Sequence, residues 1–177
     1  SGNALHLTRK KRRRNRKNLG GRCSLRLDYA ESVLFSMQEV SGTTHIHLGV
    51  YLESNSLGDM VEFSFRMDGD TNASVVINMT GHMKVLFQGV DGSILATSAD
   101  PLQLDKWSLL EFEITARTVG RVRVWVNRGG TAFVDTGVVN CRGPGHLEDF
   151  NAMTVFAGLG TTVWLDDLLV ADADTGR

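Results

Sequence analysis

The chain has 177 residues, a formal net charge of −1, 42% hydrophobic residues and only two cysteines. That length supports one domain with a sizeable core; two thiols exclude a disulfide framework, and no apolar run reaches the ~20 residues of a spanning helix. The near-neutral total hides two opposites: residues 1–26 hold ten of the nineteen Lys/Arg and no acid, whereas residues 27–177 hold nine Lys/Arg against all twenty Asp/Glu, a net of −11.

In chain order the first feature is "TRKKRRRNRK", with Arg9, Lys10, Lys11, Arg12, Arg13, Arg14, Arg16 and Lys17 in ten positions. Like charges this close repel, and residues 1–22 offer almost nothing to a core. They read as a basic arm that takes shape on a partner, hinged at Gly20–Gly21. Four partners suit such an arm: nucleic acid bound through counterion release, a nuclear-import receptor, an anionic membrane surface, or acidic protein surface within an assembly. No apolar stretch follows the cations, so the segment does not read as a signal peptide. Cys23 and Cys141 are left open between a bridge and two reduced, buried thiols, the blander alternative.

From residue 23 onward the hydrophobic period is two. "HIHLGVYLE" (45–53) sets Ile46, Leu48, Val50 and Leu52 against His45, His47 and Tyr51; "MVEFSFRM" (60–67), "LEFEITA" (110–116) and "RVRVWVNR" (121–128) alternate likewise. Further strands are predicted at 24–29, 32–40, 74–79, 83–88, 131–139, 152–157 and 162–171. "MDGDTN", "GVDGS", "NRGG", "CRGPG" and "GLG" supply the turns. About eleven short strands predict an all-β sandwich over residues 23–177. A short helical turn is expected only around 144–151.

The order "DKWSLLEFEITA", "GRVRVWVNRGG", "MTVFAGLGTTVWLDDLLVAD" resembles the concanavalin A-like lectin/glucanase family, in the laminin G-like form frequent in virus and phage structural proteins. The resemblance implies an antiparallel two-sheet jelly roll. This fold hosts lectins, glycosidases, adhesins and structural modules, so it constrains architecture more than function.

Glycoside hydrolysis needs two carboxylates across a cleft, and the family's glucanases carry E-x-D-x-x-E on one strand. Glu111 and Glu113 lack the middle Asp and the third acid, so no enzyme is expected. His45 and His47 share a strand face but have no third metal ligand nearby. Sugar binding favours exposed aromatics with a polar edge; Trp125 and Tyr51, with Arg123 and Asn127, are the candidates. "DGDTN" offers Asp68, Asp70 and Asn72 as alternate oxygen ligands for Ca2+, against the competing reading of a simple turn. The family's last-strand calcium implies Asp167 as a further ligand.

The resemblance, together with the basic arm, implies a non-enzymatic virion structural protein: a phage capsid decoration or cement protein, anchored by its arm to capsid or other virion proteins, homo-oligomeric and able to touch host glycans. The alternative is a free carbohydrate-binding module or lectin, extracellular rather than virion-borne. A weaker alternative is a nucleic-acid-associated virion protein. No cofactor is required beyond the optional Ca2+.

Overall fold

The computed structural model describes residues 6–9, 24–40, 42–54, 59–87, 92–142 and 149–172. Thirteen strands follow one another: β1 (His6–Arg9), β2 (Leu25–Asp28), β3 (Ser32–Val40), β4 (Thr43–Leu52), β5 (Asp59–Met67), β6 (Asp70–Asn78), β7 (Met83–Phe87), β8 (Ile94–Thr97), β9 (Trp107–Thr115), β10 (Arg121–Val126), β11 (Val134–Asp135), β12 (Phe150–Ala157) and β13 (Thr162–Asp172). They form a seven-stranded sheet, β1-β3-β12-β5-β6-β7-β8, and a six-stranded sheet, β11-β10-β9-β4-β13-β2. Every strand pairing among the described residues is antiparallel, and the chain passes between sheets at β1/β2, β2/β3, β3/β4, β4/β5, β8/β9, β11/β12 and β12/β13. That is a jelly-roll sandwich.

The core forms where the two apolar faces meet. β4 alternates buried and half-buried residues along its whole length, as do β9 and most of β10, because one side of the pleat packs on the other sheet. Phe63 and Phe65 of β5 lie 5.3 and 5.8 Å, centroid to centroid, from Phe112 of β9, and Phe65 meets Phe150 at 5.7 Å. All four rings are buried, each contributing about 1.5–3 kcal/mol. At the β5–β6 hairpin, Met67 pairs with Asp70 across a two-residue turn. Asp68 and Gly69 both take positive φ there, 49° and 98°, as a turn matching strand twist requires.

The helical turn expected around 144–151 falls mostly on residues 143–148, outside the described residues; Phe150 and Asn151 belong to β12. The leader is not wholly apart from the sandwich. His6–Arg9 adds to the edge of the seven-stranded sheet, Leu7 opposite Phe35 and Arg9 opposite Val33. Backbone pairing with an open strand edge prevails over the local charge density that argued against a strand. Lys10, Lys11, Arg12, Arg13, Arg14, Arg16, Lys17 and Cys23 lie outside the described residues. Cys141 is a free, buried thiol, and burial raises its pKa to about 11.

One end of the sandwich is latched by Asp149. Its carboxylate accepts from the Gly42 amide at 3.0 Å and from Arg117 Nε at 3.1 Å and Nη2 at 3.3 Å, while its own amide donates to the Ala116 carbonyl at 2.8 Å. These bonds tie the start of β12, in one sheet, to the end of β9, in the other.

Candidate functional site

Both sheets have an outer face, and the two differ in chemistry. On the six-stranded sheet, register aligns Arg26, Trp164, Tyr51 and Trp107 in one row. A second row holds Leu169, His47, Glu111 and Trp125; a third holds His45, Glu113, Arg123 and Asp135. All three tryptophans of the chain thus share one face. Their groups are largely committed to each other. Arg26 lies over the Trp164 ring at 5.2 Å, and the Trp164 indole donates to Glu53. Tyr51 leans on Trp107 at 5.8 Å, and Arg123 covers Trp125 at 4.9 Å. Arg123 Nε donates to Glu113 at 2.8 Å, Arg121 Nε to Asp135 at 2.8 Å, and His47 Nδ1 meets Glu111 at 3.1 Å. The Arg121 hydrogen bonds hold the Asp135 carboxyl below its ordinary pKa and raise that of Arg121.

The structure therefore brings Trp125 and Arg123 together, and Tyr51 and Trp107, but not all four sugar candidates into one cluster. Asn127 is spent on the turn after β10: its Oδ1 accepts from the Leu109 amide at 2.9 Å, and its φ is 54°. The proposed calcium ligands diverge as well. Asp68 and Asp70 are exposed at the hairpin, with Asp68 Oδ1 accepting from Asn151 Nδ2 at 2.9 Å. Asn72 is fully buried, its amide donating to the Asp149 carbonyl. Asp167 is exposed in the β13 irregularity at φ 48°. Turn and bulge chemistry is what the geometry gives these residues, and among the described residues no group of three or more His, Cys, Asp or Glu could hold a metal.

The outer face of the seven-stranded sheet is built otherwise. Register places Leu34, Thr154, Ser64, Ser74 and Leu86 in a row across β3, β12, β5, β6 and β7. The row on one side is Phe156, Glu62, Val76 and Lys84; on the other lie Ala152 and Arg66. Three small hydroxyl residues thus form the floor of a closed furrow, a row that the longer side chains on either side cover. The floor is largely buried although it faces away from the core: Ser64 is 8% exposed and Ser74 0%, Thr154 is half-buried, and Val76 in the flanking row is 2% exposed. β6 is consequently buried on both of its faces from Asn72 to Ile77. Ser64 Oγ donates to Glu62 at 2.6 Å. Among the described residues, however, Ser74 Oγ, Thr154 Oγ1 and Arg66 Nε are buried without a hydrogen-bond partner. Sequence reasoning missed this row, because a strand that alternates apolar with Glu62, Ser64 and Arg66 reads as one with an ordinary solvated face. The signal present was the uncharged run from Asn72 to Asn78.

Neither a protein-family model nor any curated protein matches the sequence. Solved structures do. The fold is the jelly roll of lectins and carbohydrate-binding modules. The chain aligns with galectin LEC-6 of Caenorhabditis elegans at TM-score 0.53 and 17% identity, over 82% of this chain and 95% of that one. With carbohydrate-binding module CBM66 from Bacillus subtilis the TM-score is 0.54 at 11% identity, over 82% and 84%. A structure of botulinum neurotoxin type C, which depends on interaction with two ganglioside molecules to enter cells, gives 0.61 at 10% identity. There the alignment covers 95% of this chain but only 42% of the toxin chain. At these identities the likeness establishes architecture and leaves function to the residues.

Proposed function

We propose that this protein is a non-enzymatic glycan-binding module whose sugar lies along the Thr154–Ser64–Ser74 furrow. The observation that carries the reading is the pair of buried hydroxyls, Ser74 Oγ and Thr154 Oγ1, that face outward with no partner among the described residues. An unmet buried hydroxyl costs about 1–3 kcal/mol, a cost that a polyol ligand removes. Neighbouring groups suit the same ligand: Glu62 accepts hydroxyl protons, Arg66 and Lys84 donate, and the half-exposed Phe156 offers an apolar face. Glu62 and Lys84 are long and only half-buried, so rotamer changes in them open the floor to a ligand. The glycan ligands of the structural relatives point to the same chemical class.

Glu111 and Glu113, the nearest approach to a hydrolase pair, are engaged by His47 and Arg123, which supports binding without turnover. The virion-anchoring and nucleic-acid readings rest on Arg9–Lys17, of which all but Arg9 lie outside the described residues, and none of the relatives named above is a capsid protein.

The test is a glycan array followed by calorimetry on the full chain. Ser74→Leu fills the furrow and abolishes saturable binding, with the sandwich intact by circular dichroism. Trp125→Ala leaves affinity within about twofold, since its face is already committed to internal contacts. The opposite pattern transfers the site to the six-stranded sheet.

A further inference from the structure

Four arginines lie on strands whose side chains are described: Arg26, Arg66, Arg121 and Arg123. Three have a carboxylate: Arg26 meets Asp28, Arg121 meets Asp135 and Arg123 meets Glu113. Among the described residues Arg66 meets none, although residues 27–177 carry twenty acids against nine Lys/Arg. Its guanidinium is nevertheless placed. One Nη2 hydrogen goes to the Gly69 carbonyl, held in position by the positive-φ hairpin turn. Its Nε is buried and lacks an acceptor. Of the two acids of that hairpin, Asp68 is turned toward Asn151 and Asp70 is exposed.

Arg66 stands on β5 two residues from Ser64, and Glu62 stands two residues away on the other side. The furrow is therefore polarised along β5: a cation, then hydroxyls, then a carboxylate. Glu62 is already accepting from Ser64, so it favours the hydroxyl-rich end of a ligand and repels an acidic group. A fixed, half-buried guanidinium with an unused N–H is matched best by an anionic oxygen, because charge-assisted hydrogen bonds are about twice as strong as neutral ones.

We infer that the furrow selects acidic glycans, a sugar carboxylate seated on Arg66 Nε and the sugar hydroxyls on Ser64, Ser74, Thr154 and Glu62. This rests on the furrow being the glycan site. Lys84, on the Glu62 side of the hydroxyl row, is too far along the strands to be the principal anchor for the same carboxylate, and serves as a general cationic wall.

The experiment titrates the full chain with sialyllactose, with a glucuronate-terminated disaccharide and with neutral lactose, at low and high salt. Acidic sugars bind about tenfold more tightly than lactose, and added salt erodes that advantage, as screening of a charged contact requires. Arg66→Gln abolishes the preference, so that acidic sugars and lactose bind the variant alike; Arg66→Lys retains part of it. If one acidic sugar binds and the other does not, the carboxylate is recognised in a particular ring setting and the inference stands. Equal affinity for lactose and both acidic sugars, or a preference that survives Arg66→Gln, overturns it. Failure of the underlying site looks different: Ser74→Leu then leaves every sugar bound as before.

Discussion

The outer face of the six-stranded sheet carries Trp164, Tyr51, Trp107 and Trp125 among paired ions; the outer face of the seven-stranded sheet carries Thr154, Ser64 and Ser74 among longer side chains. Both arise from the same period-two strands. On the aromatic face, each large ring lies against a cation or another ring, and the ions find partners one strand away. Such a surface has little left to offer a ligand. On the hydroxyl face small residues are covered by the longer side chains beside them, and buried polar atoms stay unmet. Chemical richness and chemical availability are thus different properties of a surface, and binding requires the second.

The contrast presumes two faces fixed on one rigid sandwich, and Asp149 is the point at which to break that. Asp149→Ala leaves the Arg117 guanidinium and the Gly42 amide without their acceptor. The pair is partly buried, with Asp149 side-chain exposure of 11% against 41% for Arg117, so the loss lies below that of a deeply buried pair, at about 2–3 kcal/mol. Chemical denaturation measures it, and a loss under about 0.5 kcal/mol would show that the latch is dispensable.

Trp125→Ala probes the aromatic face. It removes ring area and the Arg123 contact, and is expected to cost about 1–2 kcal/mol of stability with glycan affinity unchanged. Thr154→Val and Ser74→Ala probe the other face and carry the opposite signs. Each removes a buried hydroxyl that has no partner, so each is expected to stabilise the free protein by about 1 kcal/mol, raising Tm by roughly 2–4 °C, while weakening sugar binding. Stability gained together with binding lost is the mark of a site held ready at a cost. A destabilising Thr154→Val would mean that its hydroxyl is satisfied in the free protein.

The strand framework was legible because alternation survives in the sequence wherever one face packs and the other meets water. Ile46 to Leu52, Leu110 to Ile114 and Val122 to Val124 are buried where the pattern placed them. β8 was not legible: "ILAT" is four residues with no buried member. β1 was hidden by the cations that follow it. The furrow was hidden for a subtler reason. Alternation reports which residues face the core, and it is silent on whether the opposite face is itself buried. Ser74 and Val76 are outward yet covered, a fact fixed by neighbours on β5 and β7 that are distant in sequence. Trp125, Arg123 and Tyr51 were rightly placed on an outer face. Their mutual commitment depends on cross-strand register, which the sequence does not display.

The smallest expected effect sharpens the account of the aromatic face. Asp135 accepts from Arg121 and from the Gly137 amide, and its pKa lies below the ordinary 3.8 chiefly because of the Arg121 hydrogen bond. A carboxyl whose folded-state pKa is depressed contributes stability above the unfolded pKa and loses it as pH falls through the folded value. Asp135→Asn is therefore expected to lower Tm at pH 7 by roughly 1–2 °C, as for a largely exposed pair. The difference from the parent protein should shrink as pH falls below the ordinary carboxylate range and the lowered Asp135 carboxyl protonates. High salt should narrow it at pH 7, because the partners face solvent. A Tm difference that is constant from pH 7 to pH 2 would assign the effect to the Gly137 turn bond alone. The ion pairs of this face would then be adornments of the surface rather than the reason its arginines are unavailable.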